Sequence, residues 1–146
     1  MKNIPKLRSI LYIDDDSQRQ AIVSVILISM ANLEVRVCGS AREALIIAAA
    51  AKPDLILFDV TTWSKNAATA LHSLCTQACT RDMPVIIMTN GAKSRDARYF
   101  KLLGAAGMIA TGFEPLMLAE TVLQSWEAIE YEFLAMPIRR NAHGGN

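Results

Sequence analysis

The chain has 146 residues, of which 52% are hydrophobic and 20% charged, and its formal net charge is +1. That length suits one domain with one sizeable core. Balanced charge offers no electrostatic basis for binding nucleic acid or an anionic membrane surface, so we expect neither partner.

The three cysteines, Cys38, Cys75 and Cys79, are few and odd in number, which does not suggest a disulfide framework. Cys75 and Cys79 are four residues apart, but no further Cys or His completes a zinc site, and two small packed side chains are the simpler interpretation. The start of the chain lacks a secretory signal, and no apolar run reaches the roughly 20 residues that span a bilayer. We therefore expect a cytoplasmic protein.

Short apolar runs rich in β-branched residues alternate with longer Ala/Leu-rich stretches along the chain. In chain order, the predicted strands are 10–13, 35–37, 55–58, 85–88 and 108–109. The helices predicted between and after them are 17–30, 41–51, 65–79, 95–103 and 115–135. Capping residues support these limits: Asp16 or Ser17 can cap the first helix, Ser40 with Glu43 forms a capping box, and Gly104 can close the fourth helix.

Strands that alternate with helices predict βαβ units and a parallel sheet whose two faces are both covered. Right-handed crossovers make such a sheet doubly wound. The expected fold is therefore α/β, with five parallel strands between two helix layers. The strand order cannot be derived from the sequence, and 2-1-3-4-5 is a common order for five strands of this kind.

Ligands of open α/β sheets bind at the carboxyl ends of the strands, so the residues there are the candidate site. Asp14, Asp15 and Asp16 follow the first predicted strand, Asp59 ends the third, and Thr89 ends the fourth. The first and third strands are expected to be neighbours, which would bring three or four carboxylates together. The alternative is that these aspartates only cap helices and solubilise strand ends.

Clustered carboxylates repel one another unless a cation lies among them, and Mg²⁺ prefers a few carboxylates together with water and phosphate. Because Asp16 can serve as a helix cap, Asp14 and Asp15 are the better metal ligands. Asp59 is either a third ligand or a nucleophile that accepts a phosphoryl group as an acyl phosphate. Thr89 could then donate a hydrogen bond to a phosphoryl oxygen.

The segments "ILYIDDD", "DLILFDV" and "PVIIMTN" resemble the signatures of the first, third and fourth strands of response-regulator receiver domains, the CheY-like superfamily. "GAAGMIATGFEP" resembles the fifth-strand segment, and the resemblance extends from about residue 7 to 135. It implies a flavodoxin/CheY-like three-layer sandwich and a Mg²⁺ site made by Asp14, Asp15, Asp59 and the backbone carbonyl of Thr61. It further implies that Asp59 is the phospho-acceptor and Thr89 the switch hydroxyl.

The sequence departs from the family pattern near the phosphoryl group. Thr111 occupies the usual position of a lysine, Met108 that of the switch aromatic residue, and Asn90 that of a small residue. A threonine cannot supply the charge of the lysine. Two interpretations follow: a domain that is still phosphorylated on Asp59, which we favour slightly, or a non-phosphorylated pseudo-receiver that acts as an interaction module.

We therefore expect a receiver domain over residues 1–135, and the polar, Gly-rich composition of residues 136–146 predicts a disordered tail. No output domain is expected after it, so signalling would proceed through protein contacts. The expected partners are a histidine kinase or phosphotransfer protein, a downstream target, and a second copy bound through the fourth helix, fifth strand and fifth helix. Beyond self-phosphorylation from a phosphodonor and autodephosphorylation, we expect no enzyme activity.

A magnesium-dependent phosphatase that also uses an aspartate nucleophile is less favoured. Such enzymes usually need a general acid near the nucleophile, and Thr61 lies two residues after Asp59. A flavin-binding domain is disfavoured because the acidic loop after the first strand would repel a phosphate.

Overall fold

The structure is a computed structural model that describes residues 5–60, 65–90, 94–111 and 115–134. The strands are β1 (Ser9–Ile13), β2 (Glu34–Cys38), β3 (Leu55–Asp59), β4 (Val85–Asn90) and β5 (Gly107–Thr111). The helices are α1 (Ser17–Ala31), α2 (Ala41–Ala51), α3 (Lys65–Thr76), α4 (Ser94–Leu102) and α5 (Pro115–Leu134). Strands and helices alternate throughout, as the hydrophobic pattern predicts.

The five strands form one parallel sheet in the order β2-β1-β3-β4-β5, which confirms the expected fold. Near the carboxyl ends, Ile13 of β1 pairs with Phe58 of β3, and Asp59 pairs with Met88 of β4. The ends of these three adjacent strands therefore lie side by side, and the residues that follow β1 come close to the end of β3.

Apolar side chains pack on both faces of the sheet because successive strand residues point to opposite sides. Ile10 and Tyr12 join the core cluster that contains residues of α1 and α5, whereas Leu11 and Ile13 join the cluster that contains residues of α2, α3 and α4. The molecule thus has three layers. Trp126 of α5 is buried in the first cluster, and its indole Nε1 donates a 2.7 Å hydrogen bond to the carbonyl of Pro5.

The predicted caps of the first two helices are confirmed. The Asp16 side chain accepts hydrogen bonds from the backbone N–H groups of Gln18 and Arg19, and Ser40 accepts one from Glu43. Gly104 lies after α4 with φ +112°, a conformation that favours glycine. Local side-chain chemistry therefore determines where these helices begin or end.

Some predicted limits differ from those of the structure. The third helix ends at Thr76 rather than residue 79, and turns follow it. There the buried Thr80 hydroxyl donates a 2.6 Å hydrogen bond to the carbonyl of Leu74, which gives the chain an alternative to continuing the helix. Strands β4 and β5 are longer than predicted, because Gly107 already pairs with Ile86 and Asn90 still pairs with Thr111.

Some sequence-based expectations concern residues outside the described ranges, namely the Thr61 carbonyl and the tail over 136–146. Within the described ranges, no helix combines the length and the apolar character needed to cross a membrane.

Candidate functional site

Two aspartates meet at the carboxyl ends of β1 and β3. Asp14 directly follows β1 and its side chain is 1% exposed, while Asp59 is the last residue of β3 and its side chain is 3% exposed. The backbone N–H of Asp14 donates to the carbonyl of Cys38 at 3.0 Å, which extends the pairing of β1 with β2 by one residue. The Gln20 side chain donates to the carbonyl of Asp14 at 2.6 Å, so α1 also holds this turn.

The buried Asp14 carboxylate accepts four hydrogen bonds. Its Oδ2 accepts from the Tyr12 hydroxyl at 2.5 Å and from Arg19 Nε at 2.9 Å. Its Oδ1 accepts from the backbone N–H of Asp16 at 2.9 Å and from Arg19 Nη2 at 3.0 Å. A buried carboxylate is tolerated when its oxygens receive charged or strong donors, and the two-pronged contact with Arg19 is the strongest form of such pairing.

The Arg19 guanidinium also contacts Asp15, Asp16 and Asp59, which form an acidic cluster with Asp14. Its Nη1 lies 3.4 Å from Asp16 Oδ2, its Nη2 lies 3.7 Å from Asp15 Oδ1, and its Nε lies 3.9 Å from Asp59 Oδ2. One cation is therefore within 4 Å of four carboxylates. Sequence reasoning did not identify Arg19 as a site residue.

The signal that could have identified Arg19 is its position in the first turn of α1. That turn reads Ser-Gln-Arg-Gln and contains no acidic residue. A cation is disfavoured at the positive end of a helix dipole, so an arginine at this position suggests a compensating anion nearby. Asp14, five residues earlier, supplies that anion.

The cluster raises the pKa of both donors to Asp14. The pKa of Arg19 lies above its ordinary value mainly because of the hydrogen bond to Asp14, although partial burial acts in the opposite direction. Burial raises the pKa of Tyr12, and the hydrogen bond to Asp14 and the charges of Asp14 and Asp59 raise it further. Both side chains therefore keep their protons at neutral pH.

A magnesium ion was expected here, and the donor chemistry suits it, because Asp14, Asp15 and Asp59 offer carboxylate oxygens. The arrangement of these side chains is less suitable for the ion. Asp14 spends both oxygens on Tyr12, Arg19 and a backbone N–H, and the Asp15 side chain is 89% exposed. Among the described residues, no three acidic, histidine or cysteine side chains converge on a point suited to a metal ion. With Arg19 in this position both oxygens of Asp14 are occupied, and the guanidinium supplies positive charge among the carboxylates.

The other predicted site residues lie at the ends of β4 and β5. Thr89 is buried and lies one residue beyond Met88, the register partner of Asp59. Thr111 ends β5, where its backbone pairs with Asn90. The structure thus brings Asp14 and Asp59 together, with Thr89 on the adjacent strand and Asp15 at the exposed edge.

A cavity of about 580 Å³ opens beside the cluster, between the ends of β1 and β3 and helices α2 and α3. Its lining combines the cluster with polar groups of the two helices: Asp14, Asp15, Arg19, Arg42, Asp59 and Asn66. Asp59 is thus reached from the surface through this cavity.

Comparison with known proteins relates most of the chain to one family. A family model described as the response regulator receiver domain matches residues 10–123. No curated protein matches the chain.

Several solved structures are similar over most of their length. The chemotaxis response regulator CheY4 of Vibrio cholerae is 24% identical, with a TM-score of 0.70 over 82% of this chain and 99% of that one. A CheY-like receiver domain protein from Methanospirillum hungatei is 24% identical, with a TM-score of 0.69 over 87% and 99%. The signal receiver domain of a histidine kinase from Syntrophus aciditrophicus is 23% identical, with a TM-score of 0.66 over 84% and 92%. Similarity at this level of identity establishes the fold.

Proposed function

Because this chain belongs to the response regulator receiver domain family, we propose that it accepts a phosphoryl group on Asp59 and signals through protein–protein contacts in a two-component system. The observation that carries this proposal is that Asp14 and Asp59, at the ends of the adjacent strands β1 and β3, both lie within 4 Å of Arg19 Nε. The buried Thr89 lies on the next strand, and the cavity reaches Asp59.

In the proposed reaction, a carboxylate oxygen of Asp59 attacks the phosphorus of a phosphohistidine or a small acyl phosphate. The bond between phosphorus and the donor's nitrogen or oxygen breaks, and an acyl phosphate forms on Asp59. The leaving group takes the displaced electron pair. The Thr89 hydroxyl would donate a hydrogen bond to a phosphoryl oxygen, while Thr111 would contribute no charge where the family has a lysine.

Receiver domains typically bind Mg²⁺ at the phosphorylation site. For this chain, binding of Mg²⁺ by Asp14, Asp15, Asp59 and the carbonyl of Thr61 stays a prediction. The contacts of Arg19 with Asp14 mean that an ion could use Asp14 only after the guanidinium moves.

Members of this family are signalling modules that act with histidine kinases or phosphotransfer proteins and with downstream targets. A homodimer through α4, β5 and α5 stays a prediction for this chain. Charged residues that are exposed on α4 and α5 are compatible with it: Arg98, Lys101, Glu120 and Glu127. The cytoplasmic location, the domain limits 1–135 and the disordered tail likewise remain predictions.

A second candidate function is that of a pseudo-receiver, which uses the fold for partner binding without phosphorylation. Two features favour it: Arg19 already neutralises part of the acidic cluster, and Thr111 stands in place of the usual lysine. In this function the cluster would be a structural element of the domain.

Intact mass after incubation with acetyl phosphate and MgCl₂ separates the two candidates. We expect the parent and an Asp82→Asn control to gain one phosphoryl group and Asp59→Asn to gain none. Asp82 is an exposed aspartate that precedes β4, at the other end of that strand from Thr89. If the parent gains nothing at any Mg²⁺ concentration, the pseudo-receiver function is correct and the phospho-acceptor proposal is wrong.

A further inference from the structure

We propose that Arg19 is the built-in cation of the acidic cluster, and that it competes with divalent ions for Asp14. The guanidinium takes the charge-balancing role that a metal ion would have among these carboxylates. Mg²⁺ would therefore bind weakly, because it gains Asp14 only when Arg19 leaves.

The first argument concerns the ligands. Arg19 contacts both oxygens of Asp14, at 2.9 and 3.0 Å, and each oxygen also accepts a second donor, from Tyr12 or the backbone N–H of Asp16. A carboxylate with four donors has no lone pair left for an ion. Of these donors only Arg19 is a charged side chain, and a cation that binds Asp14 must displace it.

The second argument concerns charge. Four carboxylates surround one guanidinium within 4 Å, so the formal balance is four negative charges against one positive charge. The excess negative charge still attracts a divalent ion. Competition, rather than complete exclusion, is therefore the expected behaviour.

The third argument concerns mobility. The Arg19 side chain is 41% exposed, whereas its main partner Asp14 is almost fully buried. Arg19 belongs to the first turn of α1, and Asp16 caps that helix through backbone N–H groups. The guanidinium can therefore turn into solvent without unfolding α1, while Asp14 stays in place.

The test is a calorimetric titration of the metal-free full chain with MgCl₂ at constant ionic strength, comparing the parent with Arg19→Gln and Arg42→Gln. Arg42 is the matched control because it lines the same cavity, is exposed, and has no hydrogen bond or ion pair to Asp14 among the contacts of the described residues. We expect Arg19→Gln to bind Mg²⁺ about tenfold or more tightly than the parent, because it frees Asp14 from a charge-assisted pair. Arg42→Gln should stay within about twofold of the parent, since it changes only the more distant field.

Thermal unfolding gives a second readout that does not require tight binding. In EDTA, Arg19→Gln should unfold at a lower temperature than the parent, because Asp14 is buried without its counter-charge. Mg²⁺ should raise the unfolding temperature of Arg19→Gln more than that of the parent, since a ligand stabilises the folded state in proportion to its affinity. Both readouts support the proposal if they follow this pattern.

Equal Mg²⁺ affinity in the parent and Arg19→Gln would overturn the proposal, as would a lack of Mg²⁺ binding in Arg19→Gln. An equal gain in affinity for Arg42→Gln would also overturn it, because general charge and not contact with Asp14 would then control binding. The effect on signalling rests on the proposed function, but this test does not. It uses no phosphodonor, so failure of Asp59 phosphorylation and failure of the Arg19 proposal are seen separately.

Discussion

Tyr12 and Arg19 donate hydrogen bonds to the same oxygen, Oδ2 of Asp14, at 2.5 and 2.9 Å. Tyr12 belongs to β1 and is fully buried in the core between the sheet and helices α1 and α5, whereas Arg19 reaches the oxygen from α1. The acidic cluster is therefore joined to the hydrophobic core through one phenol group. A substitution in the acidic cluster should therefore change the free energy of unfolding of the domain.

Replacing Tyr12 by Phe should destabilise the fold. The ring still fills its core position, but Asp14 loses a buried donor, and hydrogen bonds to charged groups are worth about 1.5–3 kcal/mol. We expect the free energy of unfolding, measured by urea denaturation at pH 7, to fall by about 1–2 kcal/mol, since Arg19 retains part of the pairing. Unchanged stability would mean that the phenol contributes no net energy to the cluster.

The same variant should change how stability depends on alkaline pH. The pKa of Tyr12 is raised in the folded protein above its ordinary value of 10.0, chiefly by burial. The folded chain therefore keeps a proton that the unfolded chain loses, so the stabilisation is complete below pH 10 and is lost as pH rises above it. In urea unfolding measured from about pH 8.5 to about pH 11, the free energy of unfolding should fall more steeply for the parent than for Tyr12→Phe.

Asp14→Asn and Asp15→Asn should differ strongly in their free energy of unfolding, although the two residues are adjacent. Asp14 is buried and accepts four donors, so its replacement leaves donors of Tyr12 or Arg19 without an acceptor. We expect a loss of about 1–3 kcal/mol in the free energy of unfolding for Asp14→Asn in metal-free buffer. Asp15 is almost fully exposed, and exposed ion pairs contribute little, so Asp15→Asn should unfold like the parent. Equal effects of the two variants would contradict the described cluster.

Ionisation of the Cys38 thiol should lower the free energy of unfolding at alkaline pH. Burial raises the pKa of this thiol from 9.0 to about 11, although a backbone hydrogen bond with Ser40 acts in the opposite direction. Below pH 9 its contribution is complete, and as pH rises from 9 to about 11 roughly 2 kcal/mol of stability should be lost.

The comparison for Cys38 is Cys38→Ala, measured under reducing conditions. The difference in free energy of unfolding between the parent and this variant should shift in favour of the variant across that pH interval. A constant difference would show that the thiol titrates alike in the folded and unfolded chains.

Gly104→Ala should destabilise the turn that follows α4. Gly104 has φ +112°, and a Cβ built there would lie 2.9 Å from both Cβ and Sγ of Cys75. Strain and overlap together should cost about 2 kcal/mol or more. Gly39→Ala is the matched control, because a Cβ there would meet only Glu43 Oε1, at 3.8 Å. Thermal unfolding should separate the two variants, and equal unfolding temperatures would contradict the close packing of Gly104 against Cys75.

The alternating pattern of apolar runs was enough to predict the elements, because burial on both faces imposes continuous apolar strands. Capping by Asp16 and Ser40 was also predictable, since those contacts are made within a few residues. The strand order was predicted from the order that is common among folds of this kind, because the residues themselves did not determine it. The limits of α3, β4 and β5 were missed because contacts such as Thr80 with Leu74, or Asn90 with Thr111, depend on local geometry and on pairing between strands.

By itself, the sequence determined that acidic residues would follow β1 and end β3, because strand ends and hydrophobic periods are local properties of the chain. Only the tertiary structure decided what lies among those carboxylates. The sequence analysis assigned Arg19 no role, and the folded chain places its guanidinium among the carboxylates that are predicted to bind a metal ion. The reason is physical: the position of a long flexible side chain depends on the combined field of Asp14, Asp15, Asp16 and Asp59. That field exists only once the sheet has brought β1 and β3 together.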